Sequence, residues 1–316
     1  NAVVFNPHPH AKKISAYAVD LVNRAVLAAG GPENVVVTVA NPTMDTSKMM
    51  VNHPSVKLLV ATGGPGVVKM LLSSGKKAIG AGAGNPPVIV DETADIRKAA
   101  KDIIDGCTFD NNLPCIAEKE VFALKAIADE LIHNMQKHGA YLLTPAQTKK
   151  LEDVVLIWTE NKKGEKVRTI NKDWVGRDAK KIIAQLGIDV PEDMRCIICE
   201  TDFSHAFVQT ELMMPILPIV RVNNFDEAVE MAVKAEHGNR HTAHLHSKNV
   251  DHMTQYAKAI ETTIFVKNAP SYAGIGFNAE GWTTFTIAGP TGEGITSPRS
   301  FTRLRRCVLS DALYII

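Results

Sequence analysis

Lys57-Leu58-Leu59-Val60-Ala61-Thr62-Gly63-Gly64-Pro65-Gly66-Val67 reads as a strand, a tight turn and the start of a helix. Four apolar residues lead into glycines, and Pro65 suits a first helical position, where its missing N–H would be unpaired anyway. Upstream, Val35-Val36-Val37-Thr38-Val39 is a buried strand, and Ala2-Val3-Val4-Phe5 is another. Between them Ile14, Tyr17, Ala18, Leu21, Val22, Ala25 and Val26 share one helical face, which Gly30-Gly31-Pro32 ends. A short helix starts near Thr43. Downstream come a helix over 67–72, a strand at Val88-Ile89-Val90, and a helix marked by Ile96, Ala100, Ile103, Ile104 and Cys107. Strand and helix alternate, which predicts a parallel sheet covered on both faces.

The second half continues the theme. An apolar helical pattern over 121–132 follows Cys115, and 159–173 is polar enough to read as a surface loop. Strands are expected over 195–199, 216–222, 242–246 and 263–266, with helices over 225–236 and 249–260. After Pro270 the chain is rich in Gly and Thr, with one aromatic strand over 282–287 and a terminal strand over 306–316.

At 316 residues, 45% hydrophobic and 22% charged, the chain has ordinary globular composition and a length that favours two domains. Thirty-five basic against 34 acidic residues leave a net charge of +1, which gives no electrostatic footprint for nucleic acid. No run of eighteen apolar residues is present, so no membrane-spanning helix is expected, and no secretory signal pattern is seen. Five scattered cysteines do not make a disulfide framework, which points to a reducing cytoplasm. The first strand begins at once, with no Met before it, so the chain is expected to be a piece of something longer.

Few residues carry chemistry. Cys115 lies in Phe109-Asp110-Asn111-Asn112-Leu113-Pro114-Cys115-Ile116-Ala117-Glu118. A thiol in such a turn before a helix would face oriented backbone N–H groups that favour the reactive thiolate, although a free cysteine is commonly only a small buried hydrophobe. The turn 62–66 is placed where dinucleotide phosphates bind between strand and helix, but it is not GxGxxG and also serves as a plain tight turn. Gly80-Ala81-Gly82-Ala83-Gly84-Asn85-Pro86-Pro87 leaves room for a ligand and supplies no base. Glu211 precedes an apolar strand, where a carboxylate accepts a ribose diol or simply ends a strand in solvent. His241, His244 and His246 do not make a metal site, because only 244 and 246 share a strand face and no acid or thiol cluster matches them. Cys196 and Cys199 would face opposite sides of a strand.

Asn112-Leu113-Pro114-Cys115, Glu211-Leu212-Met213-Met214-Pro215, the 61–66 turn and the Gly80 to Val90 stretch occur in order. With Phe265-Val266-Lys267-Asn268, Ser271-Tyr272-Ala273-Gly274 and Pro290-Thr291-Gly292-Glu293-Gly294, they make the whole chain resemble the aldehyde dehydrogenase superfamily. It is most similar to the CoA-acylating branch, the acetaldehyde and propionaldehyde dehydrogenases of ethanolamine and propanediol utilisation. The resemblance implies an α/β fold of two Rossmann-related parallel-sheet domains with a C-terminal oligomerisation strand. These would be a partial NAD-binding domain (1–107), a catalytic thiol domain (108–288) and a C-terminal return (289–316). It implies Cys115 as nucleophile, Glu211 as a ribose contact of NAD, Thr62, Gly63, Gly64 and Val67 near the cofactor phosphates, and Asn6 and His8 near the adenosine. It also implies a short-chain aldehyde and coenzyme A as substrates, no metal, and a homo-oligomer (dimer or tetramer) in the cytoplasm or inside a bacterial microcompartment. A segment before Asn1, with half of the oxyanion site, would be missing, so the chain alone is expected to be inactive. Hydrolytic relatives carry a Glu that activates water; the matching position here is Ala81. A hydrolytic or acyl-phosphate-reducing enzyme and a non-catalytic assembly protein remain alternatives.

Overall fold

A computed structural model describes the whole chain except 162–163, 290–292, 309 and 311–316, and except the side chain of Pro65. Two compact units are present, 1–61 with 66–79, and 62–65 with 80–316.

The first unit contains β1 (Val3–Phe5), α1 (Lys12–Ala28), β2 (Val36–Thr38), α2 (Met44–Asn52), β3 (Leu58–Thr62), α3 (Pro65–Leu72) and β4 (Lys77–Ala81), the last residues of β3 and β4 passing into the second unit. Its four strands form two separate pairs, β1 parallel to β2, and β3 with β4, where the alternation had predicted one covered sheet. The apolar face of α1 forms as spaced, yet the helix has no buried residue; Ile14 is 65% exposed. The unit's own core is small: Val51, Leu59, Ala61 and Leu71.

The second unit is built on seven strands. In chain order they come with their helices as β5 (Pro87–Val90), α4 (Ile96–Thr108), β6 (Glu120–Leu124), α5 (Lys125–Lys137), β7 (Ala140–Leu142) and α6 (Pro145–Val155). There follow a hairpin of β8 (Leu156–Glu160) and β9 (Lys166–Ile170), then α7 (Ala179–Ile183), β10 (Cys196–Glu200), α8 (Ala206–Gln209), β11 (Ile216–Val222), α9 (Phe225–Ala235), β12 (Thr242–His246), α10 (Val250–Ile260) and β13 (Ile264–Lys267). The sheet order is β13-β12-β5-β6-β11-β10-β7, and every pairing is parallel. Side chains alternate between two cores. Val88, Val90, Val121, Ala123, Cys196 and Ile198 pack with α4 and α5 on one face. Ile89, Phe122, Val220 and Leu245 meet α9 and α10 on the other, and Ile197 and Cys199 meet α6 and α7 beside them. Cys196 and Cys199 thus face opposite sides, as their spacing predicts.

Sequence and structure part at several points. Cys115 is not followed by a helix. Residues 120–124 are all buried, so β6 lies in mid-sheet and α5 begins only at Lys125. The polar stretch 159–173 is largely the β8–β9 hairpin, Leu156 pairing with Ile170 and Glu160 with Lys166. Arg168 in β9 is fixed by Glu152, Asp153 and the ring of Trp158. The aromatic strand over 282–287 reduces to a single bridge between Ile287 and Ile295, with Phe285 exposed. Strands β4 and β7 were not anticipated. Compactness divides the chain near 80, with β5 and α4 in the central sheet and its core. Residues 303–308 hold no regular element, and most of the expected terminal strand lies outside the described residues, as does 290–292 of the Pro290 motif.

Candidate active site

Register brings distant residues to one edge. Val88 pairs with Val121 on one side and His244 on the other, so counting back places Pro86 beside Lys119 and Asn85 level with His241. The Lys119 amide N–H donates to the carbonyl of Pro86 at 3.1 Å. This is the N-terminal edge of the sheet, and the loop that carries Cys115 arrives at it between α4 and β6.

That loop has an unusual backbone. Asp110, Asn111 and Asn112 are consecutively left-handed, with φ of 47°, 52° and 65°. Asp and Asn tolerate this region better than most residues, but three in a row persist only where the surroundings fix them. Asn111 Nδ2 donates to the carbonyl of Gly176 at 3.1 Å and to Asp178 at 2.9 Å. Asn112, buried, donates to the carbonyls of Cys107 at 2.9 Å and Glu118 at 3.0 Å. Its own oxygens are taken by Lys119, whose Nζ donates to the Asn112 carbonyl at 2.9 Å and to Asn112 Oδ1 at 2.6 Å, and reaches the Pro114 carbonyl at 3.4 Å. Gly84 is needed because a Cβ there would stand 2.7 Å from the Cys115 carbonyl and 3.2 Å from His241 Cγ. The glycine-rich stretch therefore lets backbone approach the cysteine loop.

Cys115 is half-buried. Burial, and then the negative charge of Glu211, push its thiol up from the usual range, while Lys119 and the residue's own backbone N–H pull it down. The expected field of helical N–H groups is lacking because a strand follows. Glu211 shares this corner. Burial raises its carboxyl, against the opposing effects of Lys119 and the Gly84 N–H. His241 also belongs here. Burial, with Lys119, lowers its imidazole to about 4, so it is neutral at pH 7. Its Nδ1 contacts Thr242 Oγ1 at 2.7 Å, while its buried Nε2 has no partner among the described residues. The sequence drew attention to His241 only as a metal candidate, and gave no sign of Lys119.

The expected cofactor residues divide between the units. Thr62, Gly63 and Gly64 lie in the second unit at the end of β3, and Gly63 N–H donates to the carbonyl of Ala81 at 3.0 Å. A Cβ at Gly63, Gly64 or Gly66 would meet nothing within 4 Å, so packing does not require these glycines. Val67, Asn6 and His8 lie in the first unit. Asn6 accepts from Thr46 Oγ1 at 2.8 Å and donates to Ser47 Oγ at 2.6 Å, tying it to the start of α2. His8 accepts from the His10 N–H at 3.2 Å. No group of three or more possible metal ligands occurs among the described residues. His244 and His246 are buried, and burial takes both to about 3. Ala81 is buried at the end of β4.

Residues 1–283 match the aldehyde dehydrogenase family model. The chain is 52% identical over 318 residues to the acetaldehyde dehydrogenase (acetylating) EutE of Salmonella typhimurium, covering all of this chain and 67% of that protein. A propionaldehyde dehydrogenase from the fucose utilisation bacterial microcompartment of Clostridium phytofermentans superposes with a TM-score of 0.92 at 60% identity, over 99% of this chain and 70% of that one. The Rhodopseudomonas palustris propionaldehyde dehydrogenase, solved with bound propionyl-CoA, gives 0.92 at 54% identity, over 98% and 67%. The chain thus spans about two thirds of the length of these relatives. It belongs to the aldehyde dehydrogenase family, in the CoA-acylating branch.

Proposed function

We propose that this protein oxidises a short-chain aldehyde with NAD and passes the acyl group to coenzyme A, by way of a thioester on Cys115. The observation that carries the reading is the loop-borne free Cys115 in a chain akin to CoA-acylating enzymes; the resemblance adds that the buried Ala81 stands where hydrolytic relatives hold the carboxylate that activates water. Kinship with acetylating and propionylating enzymes supports the same conclusion.

In this reading Cys115 attacks the carbonyl carbon as thiolate. A C–S bond forms and the π pair moves to oxygen, where backbone N–H groups of the loop stabilise it. Glu211 binds the ribose hydroxyls of NAD, Thr62, Gly63, Gly64 and Val67 lie along its phosphates, and Asn6 and His8 face its adenosine. When bound, NAD supplies the hydride acceptor that takes the adduct to the thioester level. Coenzyme A then adds its sulfur to the thioester carbon. The bond to Cys115 breaks, and the departing Cys115 thiolate takes up the thiol proton. Exchange of one thioester for another costs little free energy. The acting form is a homo-oligomer, dimer or tetramer, in the cytoplasm or in a microcompartment like that of the fucose-utilisation relative.

Without general-base help, worth about 10²–10⁴-fold, water should be a poor acceptor. Aldehyde and NAD without CoA should give the intact enzyme about one NADH per Cys115 and then slow, the burst of covalent catalysis. Adding CoA should restore turnover with ping-pong kinetics. Sustained release of free acid without CoA would overturn the reading.

A further inference from the structure

Lys119 is wholly buried, an expensive place for a cation. Its surroundings nevertheless describe an ammonium. Three oxygens converge on Nζ, those of Asn112 O, Asn112 Oδ1 and Pro114 O, at 2.9, 2.6 and 3.4 Å. An ammonium has three N–H donors and no acceptor, whereas a neutral amine would set its lone pair against one of these oxygens. All three acceptors belong to the left-handed turn and the residue just before Cys115.

We propose that Lys119 is a positioning residue: its buried ammonium clamps the strained 110–114 turn under Cys115 and supplies the positive charge against which the Cys115 thiolate forms. This rests on Cys115 being the nucleophile. The groups that act on the pair can be named. Glu211 and Glu120 are the carboxyls, Cys107 is a second thiol, and His241 is held neutral. Burial lowers Lys119, while Glu211, Cys107, Cys115 and Glu120 raise it. Burial and Glu211 raise Cys115, and Lys119 is the charged side chain that opposes them. The lysine therefore sets the balance between a resting thiol and a thiolate, and it holds the backbone whose N–H groups face the oxyanion.

The test is the pH profile of Cys115 alkylation by iodoacetamide in the intact protein, followed by peptide mass mapping, for wild type, Lys119→Met and Lys119→Arg. Lys119→Met should move the profile upward by about one pH unit, so that labelling at pH 7 slows about tenfold. Lys119→Arg should restore most of the shift, because it keeps the charge. A Lys119→Met profile that superposes on wild type, with Cys115 still the labelled thiol, overturns the inference. If instead Cys115→Ser keeps the NADH burst, the nucleophile assignment itself fails. Should Lys119→Met not fold, Lys119→Gln keeps a donor to Asn112 Oδ1 and removes only the charge. Should that variant fail as well, the ¹⁵Nζ shift of Lys119 in wild type decides, and a neutral amine at pH 7 is the overturning result.

Discussion

Two clusters at opposite edges of the seven-stranded sheet treat polar groups differently, although His246 Nε2 and Thr201 Oγ1 at the C-terminal edge also have no partner among the described residues. At the C-terminal edge Asp91, just past β5, is fully buried and satisfied. It accepts from Thr93 N–H at 2.8 Å, Thr93 Oγ1 at 2.6 Å, Ser247 Oγ and His252 Nδ1 at 2.8 Å. Asn268, past β13, exchanges two hydrogen bonds with the Ser247 backbone at 2.9 and 2.8 Å. At the N-terminal edge, buried Asn85 Oδ1, Glu118 Oε2, both Glu120 oxygens and His241 Nε2 have no partner among the described residues. An unmet buried polar atom costs about 1–3 kcal/mol. The closed network holds three strand ends together, while the open edge surrounds Cys115. Open sheets commonly bind ligands at the carboxyl ends of their strands. Here Cys115, the proposed nucleophile, is at the amino ends, and the carboxyl ends of β5, β12 and β13 are tied together.

The sharpest way to break this comparison is Asp91→Ala. Removing the carboxylate strands donors on Thr93, Ser247 and His252 in a buried place, and the loss should be roughly 3 kcal/mol of unfolding free energy. Urea denaturation of wild type and variant at pH 7 measures it. Burial would raise Asp91, but hydrogen bonds from Ser247, Thr93 and His252 outweigh it and its pKa lies below the ordinary 3.8. A depressed carboxyl stabilises above its unfolded pKa and loses that contribution as pH falls through the folded one. The gap between wild type and variant should therefore shrink in acid, below about pH 4. A change under about 1 kcal/mol at pH 7 would show that the closed edge does not hold the strands.

On the open edge the corresponding substitution should act on binding instead. Glu211→Gln removes the charge from the hydrogen bond proposed to the NAD ribose, worth about 1.5–3 kcal/mol, or roughly ten- to hundredfold in affinity. Unfolding free energy should stay within about 1 kcal/mol, because the buried carboxyl is already raised and gives up little on neutralisation. Titration of NAD against intrinsic fluorescence, beside a melt, checks both. Equal NAD affinity would remove Glu211 from the site.

Periodicity made much of the second unit legible. Helix 225–236 is found as Phe225–Ala235, since it buries one clear face, and strand 242–246 is found as Thr242–His246 although every residue of it is buried. Complete burial removes the alternation that marks a strand, and length and flanking residues must then decide. Glu120–Leu124 is buried at every position, so β6 could not be told from a helix. The β8–β9 hairpin failed for the converse reason: only Leu156 of its strand residues is buried, and neither strand carries an alternating pattern. Cys115 stands out locally as a turn cysteine, whereas Lys119 and His241 acquire meaning only through register. Asn85, clamped to the carbonyls of Val208 at 3.0 Å and Ala235 at 2.9 Å, makes contacts across more than a hundred residues that no local window contains. Several motif residues that carry the family resemblance turn out to do structural work. Asn268 ties strand ends, and Ser271 N–H donates to Glu118 at 2.9 Å.

Glu118 offers the finest discrimination between the edges. Its carboxyl is buried against Gly106, where any Cβ would collide with it, and burial pushes it up to about 8 despite hydrogen bonds from Ser271. The folded state therefore holds a proton there that the unfolded chain, near 4.5, has released at neutral pH. Between these values the native state binds more protons, and stability must fall as pH rises, opposite in sign to Asp91. Gln reproduces the protonated carboxyl in shape and charge, and its oxygen can still accept from Ser271. Glu118→Gln should thus be nearly neutral at pH 5, within about 1 kcal/mol. It should become progressively more stable than wild type toward pH 8, by at most about 1.4 kcal/mol per pH unit. Urea unfolding of both proteins at pH 5, 6.5 and 8 gives the slope. A constant difference across that range would mean that Glu118 is ionised in the fold, and the contrast between Asp91, held ionised in the closed network, and Glu118, held neutral at the open edge, would be lost.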